Sequence, residues 1–368
     1  MVFRNMIIYG NVFDKEKTPH NVSIDFNEIM NNSKFYLSIL IIFLLLPNNL
    51  LIAQVNLKEI KSIVYFLSDD DKLGRKNGSP QSCEISVWIK EYFERNGLES
   101  FNDDYFHNYY YVNKDSITIK ERNVVGLLKG SDFNDQKYII ISAHFDHLGT
   151  NNNVEDSIYN GANDNATGVA LILGLIKELK QIKYRPYNLI FVAFSGEEEG
   201  LKGSASFAEN LLIPREKVKL NLNFDMLGKT DSIDTKTYFI TGSNYTNLKE
   251  IILDFNKSET WKLDTSSNHN LLFLLSDNYS FIEFSENNNF IIPAHTFSTD
   301  TPNAPNYHST KDEADMIDYK NLLIYTKYIG RLIDYIGQNK TEIKWIKEIQ
   351  YEFEIEEEGM HFQLIKKK

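Results

Sequence analysis

The sequence predicts an α/β protein whose sheet lies between layers of helix, and three observations carry that prediction. Short runs rich in β-branched residues alternate with amphipathic stretches of helical period between residues 57 and 338. Two of the runs, YIIISA at 138–143 and NLIFVAF at 188–194, are apolar along nearly their whole length, which suits strands covered on both faces. Hydrophobic residues make up 42% of the 368, aromatics 13% and charged residues 24%. That is enough for a substantial core and excludes a disordered, collagen-like or coiled-coil chain.

In chain order, the expected elements begin with helices at Leu57–Leu67 and Cys83–Asn96 and strands at Asn123–Leu128 and Tyr138–Ala143. A helix at Ala166–Lys180, a strand at Asn188–Phe194, a helix at Gly203–Leu211 and strands at Val218–Phe224 and Tyr238–Gly242 follow. A helix at Asn247–Asn256, a strand at Phe290–Phe297 and a long helix at Tyr319–Gln338 complete the set. The aromatic run His107–Asn113 reads as a packed strand, not a substrate platform. No repeat or Pro/Ser-rich linker divides residues 54–338, which are expected to form one α/β domain. Residues 339–368 read as an appendage, with an edge strand at Tyr351–Ile355 and a solvated acidic surface at Glu354–Glu358.

The N-terminal region reads differently. Phe35–Ala53 carries no charge, and its apolar core, Leu37–Leu46, is about half the ~20 residues that span a bilayer. With Lys34 before it and Leu51-Ile52-Ala53 as a loose cleavage pattern ahead of Gln54, residues 30–53 read as a signal peptide. Residues 1–29, polar and of mixed charge, are read as an extension upstream of an initiator at Met30. Export to a periplasmic or extracellular space is the expectation, without stable membrane insertion after cleavage. A retained anchor and a core helix are the alternatives, the latter disfavoured by Pro47.

Charge and cysteine content narrow the chemistry. The 39 Lys and Arg against 51 Asp and Glu give a net charge of −12, which argues against binding nucleic acid or an anionic membrane surface. Cys83 is the only cysteine, so a bound metal must be held by His, Asp and Glu.

Such residues gather at the predicted strand ends, where open α/β sheets carry their chemistry. YIIISA runs into His144-Phe145-Asp146-His147, and in an extended chain His144 and Asp146 project to the same side, so that the carboxylate can orient the imidazole. Asp164 sits just before a helix, where unpaired N–H groups favour negative charge. NLIFVAF ends in Ser195-Gly-Glu-Glu-Glu-Gly200, VKLNLNF ends at Asp225, and Tyr307-His308 precedes the last long helix. Singly, each is ordinarily a hydrogen-bonded or capping residue. Together His144, Asp164, Glu198, Asp225 and His308 offer two imidazoles and three carboxylates, donors that suit zinc, and three carboxylates in one site point to two metals. His147 is read as a structural hydrogen-bonding residue, His295 as a packed or rim histidine, and Gly161 and Gly168 as serving the backbone near Asp164.

Five segments, AHFDHLG, GANDNATGVA, FSGEEEGLKGS, NFDMLG and NYHSTKDEADMID, stand in the order seen in the di-zinc aminopeptidases of the zinc exopeptidase superfamily. The chain resembles that family over roughly residues 55–338. The resemblance implies a three-layer fold with a mixed, mostly parallel central sheet and helices on both faces. It implies two Zn2+ ions, with cobalt or manganese as alternatives, one held by His144 and Glu198, the other by Asp225 and His308, and bridged by Asp164. It makes Asp146 the residue that orients His144 and Glu197 the general base. Tyr307, beside His308, is a candidate donor to the developing oxyanion. The pattern Glu-Glu-x-Gly-Leu-x-Gly-Ser matches Glu197–Ser204 in one register, leaving Glu199 variable. Peptides with a free N-terminus are the implied substrates. Ser276-Asp277-Asn278 resembles a loop that approaches the site without a catalytic role. The rival readings are a single-zinc glutaminyl-peptide cyclotransferase on the same fold and a catalytically silent zinc-binding homologue; retention of Glu197 argues against the second.

Overall fold

Asn56 caps the first described helix: its side chain accepts from Glu59 N at 3.1 Å at the start of α1, Leu57–Leu67. Ile60, Ile63, Val64 and Leu67, spaced three and four apart, form its buried face. In α2, Pro80–Arg95, Ser79 is the cap and Pro80 occupies the first turn. α3 is Thr167–Lys180, α4 is Lys202–Glu209, α5 is Leu248–Phe255, α6 is Ser280–Glu283 and α7 is Tyr319–Gln338. The computed structural model describes residues 54–366 apart from 102–103, 132–136, 152–155, 229–235, 284–289, 340, 347–352 and 359–360. The signal segment and the extension expected before it lie outside the described residues.

The strands are β1 Phe106–Val112, β2 Thr118–Leu128, β3 Tyr138–His144, β4 Gly149–Thr150, β5 Ile158–Tyr159, β6 Asn188–Phe194, β7 Val218–Phe224, β8 Thr237–Ile240, β9 Lys262–Asp264 and β10 Ala294–Ser298. β4 and β5 pair only with each other, and the other eight form one sheet in the order β1-β2-β6-β3-β7-β10-β8-β9. Its centre, β6-β3-β7-β10, is parallel, as is β8-β9, while β1-β2, β2-β6 and β10-β8 are antiparallel. The expected mixed, mostly parallel sheet is present.

Side-chain alternation on the central strands makes three layers. Ile139, Ile141 and Ala143 of β3 and Leu189, Phe191 and Ala193 of β6 join α1, α2, α3 and α7 in one buried cluster. Ile140, Ile190, Val192 and Phe194 face the other way and pack with Phe207 and Ala208 of α4 and Phe281 of α6. Each such side chain contributes about 1.5–3 kcal/mol on leaving water, so strands with no polar face belong at the centre. α3, buried nearly all round, is the middle helix of its layer.

Several expectations need adjustment. β2 starts five residues earlier than expected because it pairs with β1, the His107–Asn113 run, as a hairpin; Tyr109 is buried and Tyr110 is 65% exposed. β9, three residues long, is too short to show a period. In the appendage, β11 Phe353–Glu358 and β12 His361–Lys366 pair only with each other, so the segment expected as a sheet edge, whose residues 351–352 lie outside the description, belongs to a separate hairpin. Residues before it return to the body: Trp345 bridges to Thr246 and its Nε1 donates to Ile291 O at 3.1 Å. Among the described residues no helix is long and apolar enough to cross a membrane.

His295 on β10 is packed, not on the rim. Its Nδ1 donates to Thr241 O at 2.8 Å and its Nε2 accepts from Thr246 Oγ1 at 2.7 Å, and burial lowers its pKa from 6.5 to about 4. An unfolded imidazole takes a proton near 6.5 while the folded one stays neutral, so native stability is lost as pH falls from about 6.5 to 4, by roughly 3 kcal/mol. Urea unfolding across that range is expected to show a shallower acid slope in His295→Gln; an unaltered slope contradicts the assignment.

Candidate metal centre

The five candidate donors converge at the C-terminal ends of the parallel strands. His144 is the last residue of β3, Glu197 and Glu198 follow β6, Asp225 follows β7, and Asp164 lies in the irregular turn Ala162–Ala166 that leads into α3. His308, at φ +49°, comes from the loop before α7. Two glycines let this backbone close up. Gly161 has φ +56°, and a Cβ there would stand 2.3 Å from Asp164 O; at Gly168 the demand is space, since a Cβ would meet Phe224 O at 2.4 Å.

Asp164 sits astride two histidine–carboxylate pairs. Its Oδ1 lies 3.4 Å from His144 Nε2, which is also 3.4 Å from Asp225 Oδ1. Its Oδ2 lies 3.4 Å from His308 Nε2, which is 3.2 Å from Glu198 Oε2. This corrects the expected pairing: His144 goes with Asp225, and Glu198 with His308. β3 lies between β6 and β7, so His144 has a carboxylate on either side, and its ring turns toward the β7 side.

The three separations of 3.4 Å fit a cation better than hydrogen bonds. Donors about 2.0–2.1 Å from a tetrahedral zinc stand roughly 3.3 Å apart, whereas good N–H···O bonds are about 2.7–3.2 Å. Asp225 Oδ1, buried, has no hydrogen-bond partner, while Oδ2 accepts from Ser276 Oγ at 2.9 Å. The Ser276 loop thus reaches the site through a carboxylate of the donor set. The residues present fit a borderline divalent cation.

His147 also reaches the donors. Its Nδ1 is 2.7 Å from Glu198 Oε1 and 4.0 Å from Asp164 Oδ2, and the shorter distance is that of a hydrogen bond donated to the carboxylate. His147, Asp164 and Glu198 form one cluster of donor atoms, and His144, Asp164 and Asp225 another. The structural hydrogen bond expected of His147 thus falls on a candidate donor.

Asp146 acts by its backbone where its side chain was expected. Its carbonyl is 3.3 Å from His144 Nδ1, and its carboxylate is farther, at 3.8 Å. The carboxylate instead accepts from Glu197 N at 3.2 Å, tying the β3 and β6 loops together. Burial pushes it up to about 8.

Charge at the centre is shared between acids and imidazoles. Burial opposes the charge on His308, but Glu198 and Asp164 raise it to about 11; His144, likewise buried, is raised well above 6.5 by Glu197 and Asp225. Burial would lift Asp164, yet the His144 and His308 imidazoles beside its two oxygens hold it well below the carboxylate range. Glu198 is likewise drawn down to about 2 by His308 and His147 against burial and the charge of Asp164. Glu197 behaves oppositely: burial, with Glu198 and Asp277 nearby, raises it well above the carboxylate range although His144 opposes this. Glu199 points away, 3.4 Å from Lys76 Nζ.

A cavity beside the donors is lined by His144, Asp164, Glu197, Asp225 and Tyr307, by the apolar Met226, Phe239, Leu272 and Leu275, and by polar groups that include Thr241 and Asp300. Tyr307 stacks on His308 with ring centroids 3.8 Å apart. Burial and the nearby carboxylates raise its hydroxyl well above 10, so it stays a donor.

Among curated proteins, a probable zinc metalloprotease of Pyricularia oryzae is 35% identical over 115 residues, 31% of this chain and 22% of that one. The chain spans about a quarter of the length of the curated zinc metalloproteases it matches first. Among solved structures, an aminopeptidase from Aneurinibacillus sp. strain AM-1 superposes with TM-score 0.57 at 16% identity over 81% of this chain and 97% of the other. A glutaminyl cyclase of Porphyromonas gingivalis superposes with TM-score 0.58 at 15% identity over 76% and 98%. At these identities the likeness shows the fold, which both activities share. The model of peptidase family M28 matches residues 123–333, more than half the sequence and a stretch that contains every candidate donor, and the chain belongs to that family.

Proposed function

We propose that the protein is a two-zinc aminopeptidase that removes apolar residues from the N-termini of peptides. The observation that carries this is Asp164, whose two oxygens each face a separate histidine–carboxylate pair. A single-zinc cyclotransferase needs only one such pair, so the second, His144 with Asp225, favours the peptidase. Two zinc ions held there supply Lewis acidity toward a carbonyl and acidify water. The chain's own groups do the rest. Glu197, buried at the cavity, takes the proton of the attacking water and returns it to the leaving amine. Tyr307, held protonated, donates a hydrogen bond to the oxygen that gains charge. The free ammonium of the substrate faces the carboxylates of the same cavity, and the first side chain lies against Met226, Phe239, Leu272 and Leu275.

The purified protein is expected to release leucine, methionine or phenylalanine from unblocked peptides at least ~10-fold faster than aspartate or lysine, since one apolar contact surface is worth about 1–3 kcal/mol. N-acetylation should abolish release, and a chelator should stop it until zinc is restored. Cyclisation of N-terminal glutamine without peptide cleavage selects the cyclotransferase instead. Binding of zinc with neither reaction selects the silent homologue.

A further inference from the structure

A fully buried arginine outside all five motif segments holds the candidate centre together. Arg75 is 0% exposed and lies in the turn after α1. Its guanidinium makes five hydrogen bonds, every one to a backbone carbonyl. Nε donates to Phe145 O at 2.7 Å, Nη1 to Leu67 O at 3.3 Å and to Asn160 O, and Nη2 to Gly161 O at 2.6 Å and Asp164 O at 3.1 Å. Phe145 lies between His144 and Asp146, and Asp164 is the carboxylate that faces both halves of the site. One planar fork therefore links the two loops.

Asp312 does the complementary work on the same turn. It is 3% exposed, and its two oxygens accept from Asn163 N at 2.8 Å and Asp164 N at 2.9 Å, while its carbonyl accepts from Ala162 N at 3.0 Å. It stands four residues after His308. The peptide groups of Asp164 are thus gripped from both sides, the carbonyl by a cation and the amide by an anion.

A buried guanidinium whose hydrogen bonds all go to carbonyls is an expensive way to fill space, because burial disfavours its charge. Its compensating charges include Asp164, Asp312 and Glu198, which are candidate donors or hold the Asp164 turn. We propose that Arg75 and Asp312 are positioning residues of the metal centre, which lock the Asp164 turn so that its carboxylate spans both histidine–carboxylate pairs before any ion arrives. This rests on the two-metal reading above. Groups that orient ligands in this way commonly govern metal affinity by about 10–100-fold.

The test uses Arg75→Lys, which keeps the charge but has three donors for five carbonyls, and Asp312→Asn, which keeps the shape and presents an amide to the two N–H groups. Zinc affinity of the metal-stripped protein is measured by competition with a chromogenic chelator, and melting temperature with and without zinc. Both variants are expected to bind zinc ~10–100-fold more weakly, and the rise in melting temperature on adding zinc should shrink, because that rise reports affinity for the folded state. The absorption spectrum of the cobalt-loaded variants should also differ from wild type. A purely structural role lowers both melting temperatures equally and leaves affinity unchanged, which overturns the proposal. Failure of either variant to fold at low temperature with excess zinc overturns it as well. Failure of the wild type to bind zinc defeats the two-metal reading, a separate outcome.

Discussion

Glu197→Gln is expected to retain zinc with unchanged stoichiometry and lose turnover by about two to four orders of magnitude, the range for removing a general base. Glutamine preserves the shape of the side chain and removes only its capacity to carry a proton. Glu197 lines the cavity beside His144 and Asp225, whereas Glu198 makes the close approach to His308 Nε2 at 3.2 Å. Neighbouring residues of one loop thus divide the work. Glu198→Gln should weaken metal binding first, with activity recovering in part at high zinc, and Glu197→Gln should not respond to added zinc. Rates on a leucyl peptide, together with metal content by mass spectrometry, separate the two. Full activity in Glu197→Gln, or loss of its zinc, contradicts the assignment.

Asp164→Ala is expected to lose at least ~100-fold in zinc affinity and to fall to background activity, because it removes an oxygen from both halves at once. The wild-type centre should also release about two protons as it takes up zinc at pH 7, since the carboxylates hold His144 and His308 protonated, the latter up to about 11. Ligand imidazoles must be neutral. Lowering the pH favours the protonated histidines and weakens zinc binding; raising it strengthens binding. Calorimetry in buffers of different ionisation enthalpy counts the protons. A count near zero would show that the histidines are already neutral and remove the electrostatic account of the centre.

Much of this was legible in the sequence for a local reason. YIIISA and NLIFVAF are apolar on both faces, and burial on both faces is what makes a central strand of a layered sheet. Each run stops where a charged or imidazole group appears, so His144, Glu197, Glu198 and Asp225 could be assigned to strand ends without coordinates. The expected spans of the first helix, Leu57–Leu67, and of the last, Tyr319–Gln338, match α1 and α7, because their apolar stripes are long and their caps are strong.

What depends on through-space neighbours was not legible. The order β6-β3-β7 puts His144 between two carboxylate-bearing strand ends, and only packing decides that its ring turns to Asp225. The second role of Asp146, accepting from the Glu197 amide, requires two loops 51 residues apart to touch. Arg75 stands in the polar turn DDKLGRKNGS, where an arginine reads as surface. Its burial follows from the closure of α1, the β3 loop and the Asp164 turn around one point. The sequence by itself determined which donors exist and which strands carry them, because hydrophobic periodicity is local. Only the tertiary structure decided how the donors pair and what braces them, because those contacts join segments that meet once the sheet has formed.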